Sequence, residues 1–156
     1  MKQFTPIVHA FLAAAAAAAL LAGCSGTQTR RDVYLHIMTP EQQARFRKLE
    51  AEQRPASLQL AYLQEIGVYQ QWAEQPKDIQ QAILRREVKE GMTPQAVRMA
   101  LGEPGRVEDM TLPADRAAGQ ERVIWHYDAN SGKFGSRGPR RSICFLGGKV
   151  LWVRGG

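Results

Sequence analysis

The chain lacks the residues that build covalent or metal-held frameworks. It has two cysteines and three histidines in 156 residues. Cys24 closes an apolar N-terminal segment, which leaves Cys144 without an internal partner. The fold must therefore rest on packing. A zinc site wants three or four His, Cys or carboxylate ligands at recognisable spacing, and His36, His126 and Cys144 do not supply it. Acidic residues are absent between 129 and 156, where Lys133, Arg137, Arg140, Arg141, Lys149 and Arg154 stand. Residues 40 to 91 are balanced, with eight basic and eight acidic side chains. The formal charge of +6 thus belongs mainly to the C-terminal end.

What is present begins at the N-terminus. Lys2 precedes an uncharged apolar run from Ile7 to Leu21, and the run stops at Leu21-Ala22-Gly23-Cys24. One positive charge, a short apolar stretch and small residues before a cut site make a secretory signal. A transmembrane anchor needs roughly 20 apolar residues, whereas Ile7 to Ala22 is shorter and contains His9. An Ala-rich soluble helix would show a polar face, and Ala13 to Leu21 has none. Cleavage that leaves Cys24 as a free thiol stays open as an alternative. The segment resembles the lipobox of a bacterial lipoprotein. That resemblance implies signal removal over 1–23, acylation of Cys24, and a chain tethered to a membrane without spanning it. Ser25 stands where, in enterobacterial lipoproteins, Asp retains the protein at the inner membrane, so the resemblance leans to the periplasmic face of the outer membrane.

Removal of the first 23 residues leaves 133, enough for one domain and few for two. The sequence isoelectric point near 9.7 would suit nucleic-acid binding in the cytosol, but an exported chain meets no chromosome. Beside anionic lipid or acidic partner surfaces the same charge gives weak, salt-sensitive recruitment.

Residues 24–38 read as the anchored cysteine and a tether, with Ser25 to Asp32 a polar spacer. Val33 to Met38 is either a short extended segment or the entry to a helix. Thr39-Pro40-Glu41-Gln42 starts a helix to about Gln53, with Thr39 as cap and Gln42 reaching back. Pro55 breaks it. Leu58, Tyr62, Ile66, Tyr69 and Trp72 recur at steps of three or four, a single stripe of a second helix that contains Gly67. A third runs from Pro76 to Glu90, with Gly91 as its stop. Thr93-Pro94 opens a short helix that Gly102 ends. The period then changes. Arg106 to Leu112, Glu121 to Tyr127, Arg141 to Leu146 and Lys149 to Arg154 read as strands, with Val123, Trp125 and Tyr127 on one face and Gly147-Gly148 as a hairpin turn. Pro113 to Gln120 and Asn130 to Pro139 read as loops. The predicted class is α+β: a helical region over 39–90, then a helix and an antiparallel meander of three or four strands over 91–156.

Gly91-Met92-Thr93, Val97, Leu101-Gly102 with Pro104, Trp125, Tyr127, Phe145, Gly148 and Val150 together resemble the SmpA/OmlA (BamE-like) family, over about residues 88 to 154. These are small lipoproteins of the outer-membrane β-barrel assembly machinery. The resemblance implies a non-enzymatic accessory or scaffold role with an envelope protein partner. Similar modules occur in secreted β-lactamase inhibitor proteins, so an inhibitor of an envelope or secreted enzyme is the alternative. The helical sequence ahead of Gly91 departs from the family, whose partner contacts therefore do not transfer residue by residue.

Chemistry is sparse. His126 and Cys144 could form a base and nucleophile on neighbouring strands, yet a strand histidine is more often a pleat residue. Asp109, Asp115 and Glu121 read as solvated surface carboxylates. Gly132 to Gly138 superficially suggests a phosphate loop, but a P-loop needs Ser or Thr after Gly-Lys and here Phe134 follows. No catalytic, metal or cofactor residues are expected. Beyond lipid attachment at Cys24, the expected contact is anionic, a lipid or acidic partner, through Lys133, Arg137, Arg140 and Arg141.

Overall fold

The computed structural model describes residues 27–128 and 140–155. Cys24, the signal segment, and Lys133 and Arg137 lie outside the described residues. The architecture is α+β: helices come first, and a four-stranded antiparallel sheet ordered β1-β2-β3-β4 follows. Among the described residues no helix is long and apolar enough to cross a membrane.

The expected tether is where sequence and structure differ most. Residues Arg30–Ile37 form α1, started by a reciprocal cap in which Thr29 Oγ1 accepts from the Asp32 N–H and Asp32 accepts from the Thr29 N–H. The helix buries Val33, Tyr34 and Leu35. Gln28, just before it, is 5 % exposed. Its side-chain amide donates to the carbonyls of Ile83 (2.7 Å), Met99 (2.9 Å) and Ala100 (3.2 Å), and its backbone N–H to Leu84 (2.8 Å). These carbonyls lie at the ends of two helices, where the last carbonyls lack intrahelical partners; Ile83 also accepts from the Arg86 N–H at 2.9 Å and Met99 from His36 Nδ1 at 3.0 Å, so Gln28 adds a donor there and ties the two helix ends together. The segment from Gln28 onward is thus part of the fold, because Val33 and Leu35 complete the core and Gln28 is tied into it.

The next helix, α2 (Pro40–Ala51), starts as the sequence predicts: Thr39 caps and Gln42 Oε1 accepts from the Thr39 N–H at 2.9 Å. The Leu58 to Trp72 stripe is two helices, α3 (Ala56–Glu65) and α4 (Val68–Ala73). Gly67 between them has φ +73°, a left-handed conformation that glycine adopts without a Cβ penalty. The bend keeps Tyr62 and Trp72 buried but leaves Leu58 46 % exposed. Likewise α5 (Lys77–Leu84) stops well short of Glu90. Gly91 does not end it; Gly91 and Met92 bond to Val150 instead, at 2.8 and 2.9 Å. Helix α6 (Pro94–Leu101) is capped by Thr93 and ended by Gly102 as read from the sequence.

The strands are β1 (Arg106–Asp109), β2 (Arg122–Tyr127), β3 (Arg141–Leu146) and β4 (Lys149–Arg154). β1 is shorter than expected, and the loop after it contains a single-turn helix, α7 (Pro113–Ala117). Gly147 and Gly148 take φ +56° and +74°, as a two-residue hairpin turn requires. Pairing of Val123 with Phe145 and Trp125 with Ile143 puts these residues on one face with Tyr127. That inner face joins α1 to α6 in one hydrophobic core. Trp125 and Phe145 rings meet at 4.7 Å, Arg98 lies 5.1 Å over Trp125, and the Tyr127 hydroxyl donates to the Gly102 carbonyl at 3.0 Å.

Candidate functional site on the outer face of the sheet

Strand alternation sends the even-numbered residues of β1 to β3 to the opposite face. Arg106, His126, Ser142 and Arg154 form one row across all four strands, and Glu108, Ile124, Cys144 and Trp152 the next. His126 Nδ1 lies 3.1 Å from Ser142 Oγ, and its Nε2 lies 3.0 Å from Glu108 Oε2. Arg106 Nη2 donates to Glu108 at 3.0 Å and approaches His126 Nε2 at 3.3 Å. Arg154 stacks over the Trp152 ring at 4.5 Å.

A hydroxyl, an imidazole and a carboxylate in sequence are the parts of a nucleophile relay. β2 and β3 are interior strands, paired on both sides, so their amides are committed to the ladders. Arg106, moreover, holds Glu108 and crowds the same imidazole nitrogen. The cluster is a charge-linked polar patch, able to fix ionic side chains in place.

The His126 and Cys144 pairing considered from sequence does not form. His126 stands opposite Ser142, and Cys144 opposite Ile124. Cys144 is fully buried and points its Sγ at the Phe145 carbonyl. Burial pushes its thiol pKa up, away from the reactive thiolate.

Asp115 corrects the reading of three solvated carboxylates. It is 8 % exposed and makes two bonds to Arg122, at 2.7 and 2.9 Å. Its Oδ2 also accepts from the Leu112 N–H. The Arg122 guanidinium first, and the Leu112 amide second, hold its carboxyl down at about 2. The link fastens α7 to β2. Asp109 bonds Thr111 through both its backbone N–H and its hydroxyl, which closes the turn after β1.

The four basic residues expected to contact anions are divided. Arg140 is exposed immediately before β3. Arg141, half-buried on the inner face opposite Tyr127, donates Nη1 to the Arg86 carbonyl at 3.2 Å, a structural tie between the sheet and the end of α5. Sequence reading missed Arg106, Glu108, Ser142 and Arg154 as a group. The alternation of each strand was visible, but which residue faces which depends on the register between strands.

Beside β1 is an open cleft of about 490 Å³, lined by Val107, Asp109, Thr111, Arg116, Gln120 and Val123 among others. Among the described residues no group of three or more His, Cys, Asp or Glu could hold a metal ion. The site defines a class, an α+β module with a polar sheet face. Comparison with protein-family models, curated proteins and solved structures finds no match for this chain.

Proposed function

We propose that this protein is a non-enzymatic envelope lipoprotein, held by acylated Cys24 at the periplasmic face of the outer membrane, that binds an envelope protein as an accessory or scaffold in outer-membrane assembly or maintenance. The observation that carries the reading is the lock on Gln28. Four peptide links separate it from Cys24, and extended backbone gains at most ~3.6 Å per residue, so the fold starts within about 14 Å of the lipid-bearing residue. A domain so close to its anchor meets membrane-bound neighbours first, and acyl chains are anchor enough without a spanning helix. The BamE-like reading of residues 88 to 154 supplies the scaffold role. The outer row of Arg106 and Arg154, with Arg140, supplies a positive surface for an acidic partner.

Two measurements test this. Mass spectrometry of the N-terminal peptide should show cleavage before Cys24 and addition of acyl chains; an intact, unmodified leader removes the anchor. Affinity purification from detergent-solubilised envelope should recover a membrane-associated partner, and Arg106→Glu with Arg140→Glu should release it. Retention of the partner by that variant removes the outer face from the binding surface. Recovery of a soluble hydrolase alone would instead favour the inhibitor reading.

A further inference from the structure

The two edges of the sheet are treated differently. On the β4 side, Gly91 and Met92 exchange hydrogen bonds with Val150. Among the described residues β1 has β2 as its one strand neighbour. Arg106 pairs with His126, Glu108 with Ile124, and the Met110 N–H bonds Arg122, so these even-numbered residues turn their amides toward β2. Val107 and Asp109 consequently present their N–H and C=O groups outward. Val107 is 57 % exposed, the most of any large apolar side chain among the described residues. Charged residues on a strand edge usually guard it against pairing. Here their order decides otherwise.

We propose that β1 pairs antiparallel with β1 of a second copy of this chain, about a two-fold axis at Val107, joining two sheets into one of eight strands. In that register the partner's Val107 faces Val107 and exchanges both backbone bonds with it. The Asp109 N–H meets the partner's Gly105 carbonyl. On the outer face Arg106 lies opposite the partner's Glu108, and Glu108 opposite the partner's Arg106. With the Arg106 and Glu108 contact within each strand (3.0 Å) this makes a square of alternating charge. Directly opposed unlike charges favour a strand pair and like charges oppose it. The neighbouring registers that keep the faces aligned set Glu108 against the partner's Glu108, or Arg106 against the partner's Arg106. Only the Val107-centred register is self-complementary. The open cleft under Val107 leaves room beside the axis on the helix side. Gln28 lies among the helix ends on that side, so the two-fold keeps both chain starts on one side of the joined sheet.

The test is cross-linking of the full chain in membranes. With Val107→Cys, mild oxidation should give a disulfide-linked dimer, since opposed residues of a hydrogen-bonded antiparallel pair have Cα atoms about 5.5 Å apart. Leu151→Cys, exposed on β4, is the control and should give none. Adding Glu108→Arg to Val107→Cys should weaken association about tenfold, by opposing Arg to Arg. Adding Arg106→Glu as well restores the square with signs exchanged and should restore the dimer. Absence of the Val107→Cys dimer, an equal yield from Leu151→Cys, indifference to Glu108→Arg, or failure of the exchanged pair to rescue overturns the proposal.

Discussion

The two faces of one sheet show how the same strands hold a fold and carry a surface. On the inner face Trp125, Ile143 and Phe145 are at most 5 % exposed and belong to the apolar core, with the Arg98 guanidinium over the Trp125 ring. On the outer face His126, Ser142, Glu108 and Arg106 are linked by hydrogen bonds and ion pairs in partial contact with water. Burial of apolar area is proportional and additive, so the inner face dominates stability. Exposed ion pairs contribute little, so the outer face is free to be shaped by binding.

The contrast can be broken most severely at Phe145, 2 % exposed. Phe145→Ala should destabilise the protein by about 3 to 5 kcal/mol, read by denaturant unfolding. Gln28→Ala removes one donor each from the Ile83, Met99 and Ala100 carbonyls, of which Ile83 and Met99 keep Arg86 and His36, and should cost about 1 to 3 kcal/mol. A smaller loss would show that water replaces the side chain.

Acid should act on the inner side before the outer. His36 lies against the Met99 carbonyl at 3.0 Å, and burial, the largest cause, lowers its pKa below the ordinary 6.5. The unfolded chain therefore binds a proton that the folded chain refuses, and stability falls as pH drops through 6.5 toward the folded pKa. His36→Gln should flatten the unfolding midpoint over that window. Asp115 acts in the same direction much lower: its contribution is present above the ordinary 3.8 and is lost as pH falls toward 2. The smallest effect is expected at the outer face, where His126→Ala should change stability by less than about 1 kcal/mol while altering partner binding. A large loss of stability there would erase the distinction between the faces.

The sequence made the short-range features legible. Thr39 and Thr93 cap the helices they precede, Gly147 and Gly148 turn the hairpin, and Val123, Trp125 and Tyr127 share a face. Each depends on contacts within a few residues. The helix lengths after Pro55 and Pro76 were less legible, because the period of apolar residues continues across Gly67 and past Leu84 while the backbone does not. Of the candidate contacts, Arg140 lies exposed, whereas Arg141 is drawn inward by a carbonyl far away in sequence.

Composition and local pattern by themselves determined that this chain folds as helices followed by an antiparallel meander, since caps, turns and alternation are set by neighbouring residues. Only tertiary structure decided that Gln28 to Met38 belongs to the body of the fold, that Gly91 and Met92 bond Val150 on one sheet edge, and that Glu108, His126 and Ser142 meet. Those outcomes depend on strand register and on which buried carbonyls lack a donor, and both are fixed only when distant segments pack together.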